Sequence, residues 1–288
     1  MGRDRRRLAV CGKGAIACNA LGYLTDVLPL LAERWDLATV AVQGDPGVDR
    51  WEPSLRAQCN RLGVPAFETV DALTLEPGDV LFSLQYDRII RPAQLGGARA
   101  YNLHFSPLPR YRGCYPSMWP LRNGETESGV TLHMLEAGID DGDIVDQQLF
   151  DVPPFTTAFA LYGLYHAHGY EVFKRSLPAV LAGTERRHAQ DAAQATYYDR
   201  KSIDFTAVDI VGWRAMTASQ CVDLIRSLVF DPFQLPRVAG RRVVAAERVA
   251  GDWSDALRGG DRIGSHSALL ACKDGLVRVR FKEDAATP

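Results

Sequence analysis

Asn102, His104 and Ser106 stand at i, i+2 and i+4 along and just past the run Ala100–Phe105, which reads as a β-strand. Period-two geometry sets their side chains on one face. At the C-terminal edge of a parallel sheet that face opens onto the crevice where doubly wound proteins bind ligands. A neutral imidazole there can take a proton from an attacking nucleophile, and an amide two residues away can donate to an oxyanion. The bland alternative is a core histidine satisfied by a carbonyl; Asn102 and the Pro-rich loop that follows favour the reactive reading. A second cluster is Asp140-Asp141-Gly142-Asp143. Its carboxylates could hold Mg²⁺ or Ca²⁺, although the further oxygen ligands of a calcium loop are absent from the spacing. One carboxylate could instead orient and charge the histidine, or the segment is a plain hairpin turn. Spacing leaves these three open.

A third candidate is Gly12-Lys13-Gly14 after the apolar run Leu8–Cys11. The dinucleotide fingerprint G-x-G-x-x-G then has Ala17 in its third place, a permitted variant. The acidic residue expected at the end of the second strand is missing, because that strand ends Val42-Gln43-Gly44 with Asp45 just beyond. A tight strand-to-helix turn accounts for these glycines better than a nicotinamide site.

These residues need elements to hold them. The first half alternates short apolar runs with amphipathic stretches, the pattern of a parallel α/β sheet. Strands are expected at Leu8–Cys11, Leu37–Val42, Val80–Leu84 and Ala100–Phe105. Helices are expected over Ile16 to Leu31 and over Trp51 to Leu62, the latter stopped by Gly63. Ser106 to Pro120 holds four prolines and reads as a shaped loop. Val130–Leu135 and Ile144–Leu149 flank the acidic turn, and a long helix spans Thr157 to Ala182. Residues 184–200 are polar and Ala/Gln-rich, the expected linker. Beyond them come a helix, Ala218 to Phe230, and strands at Arg242–Val249, Ala268–Lys273 and Leu276–Phe281. The expected fold is therefore α/β, a doubly wound, mainly parallel Rossmann-like domain over 1–190, with a smaller C-terminal α+β or barrel-like domain over 200–288.

Composition narrows the function classes. The 288 residues carry 47% hydrophobic and 24% charged residues, ordinary values for a globular chain with a full core. Lys+Arg of 33 against Asp+Glu of 35 leaves no basic excess to replace phosphate counterions. Only five of the basic residues are Lys, which reads as genome composition and not as an arginine patch. The basic start is followed by too short an apolar run for a signal peptide, and no stretch approaches a bilayer span. The six cysteines are scattered without metal-ligand spacing, so reduced thiols in a cytoplasmic enzyme are expected.

Three blocks in order carry a resemblance. Asn102-Leu103-His104-Phe105-Ser106-Pro107-Leu108-Pro109-Arg110-Tyr111-Arg112-Gly113 is followed by Glu127-Ser128-Gly129-Val130-Thr131-Leu132-His133 and then by Gly138-Ile139-Asp140-Asp141-Gly142-Asp143-Ile144. Together they resemble the N10-formyltetrahydrofolate-dependent formyltransferases, through most of the first 180 residues. The resemblance implies catalytic roles for Asn102, His104 and Asp140, with no metal. It gives Asp141 and Asp143 no catalytic role. It sets the pterin of N10-formyltetrahydrofolate against Gln85, Tyr86, Asp87, Ile89 and Ile90, with Asp143 also on the cofactor side. An alternative for Ile89 and Ile90 is that both are core.

Within that superfamily, Arg112–Pro120, Ser202–Phe205 and Arg226–Phe233 resemble the enzymes that formylate nucleotide-linked amino sugars. That implies a sugar-binding role for Ser106, Arg112, Tyr115 and Trp119, with dTDP the expected nucleotide. Methionyl-tRNA formyltransferase is the alternative, and another small amine such as an antibiotic precursor a further one. From Asp199 to Pro288 the chain has 14 Lys/Arg and 12 Asp/Glu, a thin charge for gripping tRNA. Phe230, Phe233 and Trp253 could stack on a base or lie in the core. The expected partner is thus a nucleotide-linked amino sugar, with no nucleic acid and no membrane. The C-terminal unit is expected to complete a pocket or form a homodimer interface.

Overall fold

The alternation in the first half resolves, in the computed structural model of the chain, into a seven-stranded sheet with helices packed on it. The structure describes residues 5–206, 208–231, 233–251 and 260–283, so Trp253 lies outside the described residues. Strands β1 (Arg6–Gly12), β2 (Trp35–Ala41), β3 (Ala66–Phe67), β4 (Val80–Leu84), β5 (Arg99–His104), β6 (Glu127–Met134) and β7 (Ile144–Asp151) lie in the order β3-β2-β1-β4-β5-β6-β7. The first five pair in parallel, and β6 joins β5 antiparallel with His104 opposite Thr131 and Asn102 opposite His133. The order reverses beside β1, which makes the C-terminal ends of the central strands the expected ligand edge.

Leu8, Ala9, Val10 and Cys11 are fully buried, as a strand covered on both faces requires. Helix α1 (Gly14–Val27) follows, shorter than the apolar pattern to Leu31 suggests. Pro29 closes it in a single turn of 3₁₀ helix, and Leu30 is left exposed. Helix α2 (Leu55–Leu62) likewise starts later than expected, because the Ser54 side chain caps it by accepting from Ala57 N–H. Gly63 ends it in the left-handed conformation, as expected. Both glycines of the first turn have structural reasons. A Cβ on Gly12 would lie 2.0 Å from the Leu84 carbonyl oxygen, and Gly14 has φ +65 against the Glu52 carboxylate. The helix Ala158–Ala182 packs Phe173 edge-on to Phe82 and stacks Tyr165 on Phe105. Gly169 lets this helix approach Leu103 of β5.

The chain divides into two compact units that are not contiguous in sequence. The first runs to Gly113 and takes in Gly129–Leu149 and Tyr165–Tyr197; the second comprises Cys114–Ser128, Phe150–Leu164 and the described residues from Tyr198 onward. The segment read as a linker packs back on the first unit, where His188 and Ile144 exchange backbone hydrogen bonds. In the second unit, the helix Ala218–Leu228 carries a capping box between Thr217 and Gln220. Its five-stranded sheet runs in the order Arg237–Val238, Arg241–Arg248, Leu276–Phe281, Ser267–Ala271, Arg262–Ile263, with antiparallel ladders throughout. Phe230 is core, with its ring 5.3 Å from Phe159 and 5.4 Å from Tyr162, whereas Phe233 is exposed.

Candidate active site

β5 ends with Asn102 and His104 on the face opposite to Leu103, and the chain after β6 turns back toward them through the acidic segment. Asp140 takes the left-handed conformation, φ 53, which a short polar side chain tolerates better than most. Gly142 follows because a Cβ there would lie 2.0 Å from the Met134 carbonyl oxygen. The turn thereby brings Asp140 between two imidazoles. Its Oδ2 lies 3.6 Å from His104 Nδ1, and its Oδ1 lies 3.5 Å from His133 Nε2. Asn102 Nδ2 donates to the same Oδ1 at 3.2 Å, and Gly113 N–H donates to Oδ2 at 2.8 Å.

Hydrogen bonding fixes the histidine tautomers. His104 Nε2 lies 2.9 Å from the Tyr111 carbonyl oxygen, which can only accept, so Nε2 carries a proton. In the neutral ring the lone pair is then on Nδ1, the nitrogen that faces Asp140. A proton taken up at Nδ1 lands beside a buried carboxylate. Burial works to raise that carboxyl, but once the rings are protonated the charge of His104 and the hydrogen bond and charge of His133, together with Gly113 N–H, hold it well below the usual carboxylate range. The site thus pairs a buried imidazole with a carboxylate whose ionised form a proton on that ring favours. Of the three readings of the acidic turn, this one fits Asp140. Among the described residues, no group of three or more His, Cys, Asp or Glu could hold a metal ion.

A second layer fixes the turn. Gln190 Nε2 donates to the carbonyls of Asp140 and Gly142 at 2.9 and 2.8 Å, and its Oε1 accepts from Nε and Nη2 of Arg112. Tyr111, with φ 63, gives its N–H to Thr196 Oγ1 while its carbonyl holds His104. A cleft of about 340 Å³ opens beside this layer, lined by Arg112, Ile139, Asp141, Ala195, Thr196 and Tyr197.

The other residues singled out from sequence fall in different places. Ser106 is fully buried and donates to the Arg110 carbonyl, so it shapes the loop and lines no surface. In the second unit, Trp119 is buried, stacked on Tyr198 at 4.1 Å, and Tyr115 packs edge-on to Phe205. After β4, Gln85 turns at φ 61 and Tyr86 is half-buried against the core. Ile90 belongs to that core, but Ile89 is 72% exposed, so the core reading holds for only one of the pair. Asp87 is exposed, and the carbonyl of half-buried Asp143 accepts from Met134 N–H. Sequence reasoning gave no role to His133, Gln190, Thr196 or the Tyr111 carbonyl. The period-two relation of Val130, Leu132 and Met134 to Thr131 and His133 was the available signal for His133.

A buried imidazole and carboxylate beside an amide, at the ligand edge of a parallel sheet, are the groups that could take a proton from a nucleophile and donate to an oxyanion in a group transfer. Residues 57–177, which carry Asn102, His104, His133 and Asp140, match the formyl transferase family. That stretch of the chain is a formyl transferase domain. The sugar 3N-formyl transferase WlaRD, solved in the presence of dTDP and 5-N-formyl-THF, has the same fold, with TM-score 0.87, 24% identity, and 99% of this chain and 100% of that chain covered. The N-formyltransferase from Helicobacter canadensis, solved with folinic acid and dTDP-3-aminofucose, gives TM-score 0.85 and 26% identity over 96% of this chain and 100% of that chain. A 4-N formyltransferase from Francisella tularensis gives 0.68 and 14% over 81% and 92%.

Proposed function

We propose that this formyltransferase moves the formyl group of N10-formyltetrahydrofolate onto the amino group of a nucleotide-linked sugar, with dTDP as the nucleotide. The observation that carries the reading is the likeness, over nearly the full length of both chains, to the Helicobacter canadensis enzyme solved with folinic acid and dTDP-3-aminofucose. The loop after β4 suits a folate: exposed Ile89 and half-buried Tyr86 offer apolar surface to a flat ring, while buried Ile90 anchors the loop beneath. Gln85, Asp87 and Asp143 stay in the proposal as polar neighbours of that ring. When bound, the donor supplies a formyl carbonyl open to attack.

The chain's own residues do the rest. The acceptor must present a neutral amine, since an ammonium has no lone pair. His104 takes the amine proton at Nδ1, and ionised Asp140 steadies the resulting imidazolium. Asn102 supplies an N–H to the oxyanion, and the bond from the formyl carbon to N10 then breaks as the proton held on His104 passes to the departing nitrogen. Arg112, on the rim of the cleft, is proposed to meet the phosphates, and Tyr115 to contact the sugar end; Ser106 and Trp119 support that loop from within.

A nucleic-acid acceptor is set aside on charge, given 14 basic and 12 acidic residues from Asp199 onward. No helix among the described residues is long and apolar enough to cross a membrane. A cytoplasmic enzyme, assembled as a homodimer, completes the proposal. With formyl donor in excess, dTDP-linked 3-amino and 4-amino sugars form one acceptor set and charged initiator tRNA the other. The expected result is a sugar nucleotide heavier by one CO unit. Formylated tRNA with no sugar-nucleotide turnover overturns the choice of acceptor.

A further inference from the structure

Asn102 has one amide nitrogen and two protons to give. Nδ2 lies 3.2 Å from Asp140 Oδ1 and 3.1 Å from His133 Nε2. His133 Nδ1 lies 2.8 Å from the Met134 carbonyl oxygen, which can only accept, so Nδ1 carries the proton and Nε2 of the neutral ring offers its lone pair. Both Asn102 protons are thereby committed within the protein. His104 has none to spare either, because its Nε2–H goes to the Tyr111 carbonyl. An oxyanion needs a donor, so one of these bonds must yield. The charged carboxylate of Asp140 holds its proton more firmly than a neutral imidazole does, which leaves the bond to His133 as the weak one.

We propose that His133 is a positioning residue for Asn102: neutral, it withholds an amide N–H from the oxyanion, and protonated at Nε2 it turns that proton to Asp140 and releases the N–H. The inference rests on the formyl-transfer reading above. Asp140, from the turn after β6, lies 3.5 Å from Nε2 and is placed to receive it. The other titratable group beside the ring is His104 of β5, at 6.4 Å between ring centroids in edge-to-face geometry. The His133 side chain is buried, so it acts on Asn102 and not on substrate.

The test is kcat against pH for the wild type and for His133→Asn. An asparagine amide reaches the Met134 carbonyl but leaves the Nε2 position empty, so the Asn102 proton is free at every pH. On the alkaline side the wild-type rate is expected to fall about tenfold per pH unit, the slope for loss of one proton. His133→Asn is expected to show no such fall, with KM for both substrates within about twofold of wild type. The same alkaline limb in the variant, or one constant fractional loss at all pH values, overturns the proposal. Ring-nitrogen NMR of the wild-type enzyme gives an independent check: an Nε2–H tautomer for neutral His133 also overturns it. A wild-type enzyme inert toward every amino-sugar nucleotide defeats the functional reading, while the tautomer still decides the geometry.

Discussion

Replacing Asp140 by Asn removes one charge from the site while nearly conserving its volume. The carboxylate lies 3.6 Å from His104 Nδ1, and water reaches only 12% of the Asp140 side chain. At an effective dielectric of about 20, a unit pair at that separation attracts by roughly 4–5 kcal/mol. Were all of it lost where His104 carries the proton, the rate would fall by about three orders of magnitude. A second effect adds to the first. Asp140 accepts from Gly113 N–H with one oxygen and from Asn102 Nδ2 with the other, and an asparagine has one oxygen to offer. If the fixed backbone N–H of Gly113 takes it, two amide NH₂ groups face each other and Asn102 is displaced. The expected outcome is a kcat about 10²–10³ lower, with each KM within about threefold, because the group acts where charge develops. Initial rates at saturating formyl donor and amino-sugar nucleotide measure this, with a melting curve to show that the variant is folded. A kcat within about threefold of wild type would refute the reasoning. So would activity that is lost in chelator and restored by Mg²⁺, which would return the acidic turn to a metal role.

Further outcomes follow from other residues. His104→Asn puts an amide without a basic lone pair where the ring nitrogen faces Asp140, and it is expected to lower kcat by at least about 10²-fold in the same assay. Gly142→Ala puts a Cβ 2.0 Å from the Met134 carbonyl oxygen, a backbone atom that cannot rotate away. It is expected to destabilise the fold by more than about 2 kcal/mol in urea denaturation and to lower kcat by moving Asp140. His166 is held down to about 4, first by burial and then by the Lys13 charge. Its neutral form is therefore favoured in the fold, and the unfolded chain takes up the proton first on acidification. The contribution is complete above about pH 6.5 and is lost as pH falls toward about 4, a change of about 3 kcal/mol. His166→Gln should flatten that part of the stability-against-pH curve relative to wild type.

The parts of the fold that were legible in the sequence are those set by local apolar pattern. The strands around Leu8–Cys11, Val80–Leu84 and Ala100–Phe105 are buried runs bounded by turn residues, and each formed within a residue or two of its expected limits. Helix ends were less legible where a side chain or ring decides them: Ser54 caps α2 late, and Pro29 closes α1 early. The polar stretch 184–200 read as a linker because hydrogen bonds between distant residues leave no periodic mark. Gln190 and Thr196 are held by partners 78 and 85 residues away, Arg112 and Tyr111. The same holds for the division of the chain, since the second unit collects Cys114–Ser128 and Phe150–Leu164 from within the stretch expected to form one domain, 1–190.

The site itself divides along a similar line. Asn102 and His104 share a face because of strand period alone, and that much followed from two residues. Asp140 was one of three carboxylates in a turn, and nothing in its spacing separated it from Asp141 or Asp143. What separates it is backbone geometry: a left-handed φ at Asp140 and a contact at Gly142 too close for any Cβ together aim one side chain at β5. Proton positions were further still from view. Which nitrogen of His104 is left with its lone pair depends on the Tyr111 carbonyl, and which way Asn102 is proposed to give its protons depends on the Met134 carbonyl through His133. Both acceptors are main-chain atoms, carried by every residue type, so no side-chain pattern could have marked them. The side-chain types of the proposed site were therefore written in the sequence, whereas their protonation and direction are properties of the folded backbone.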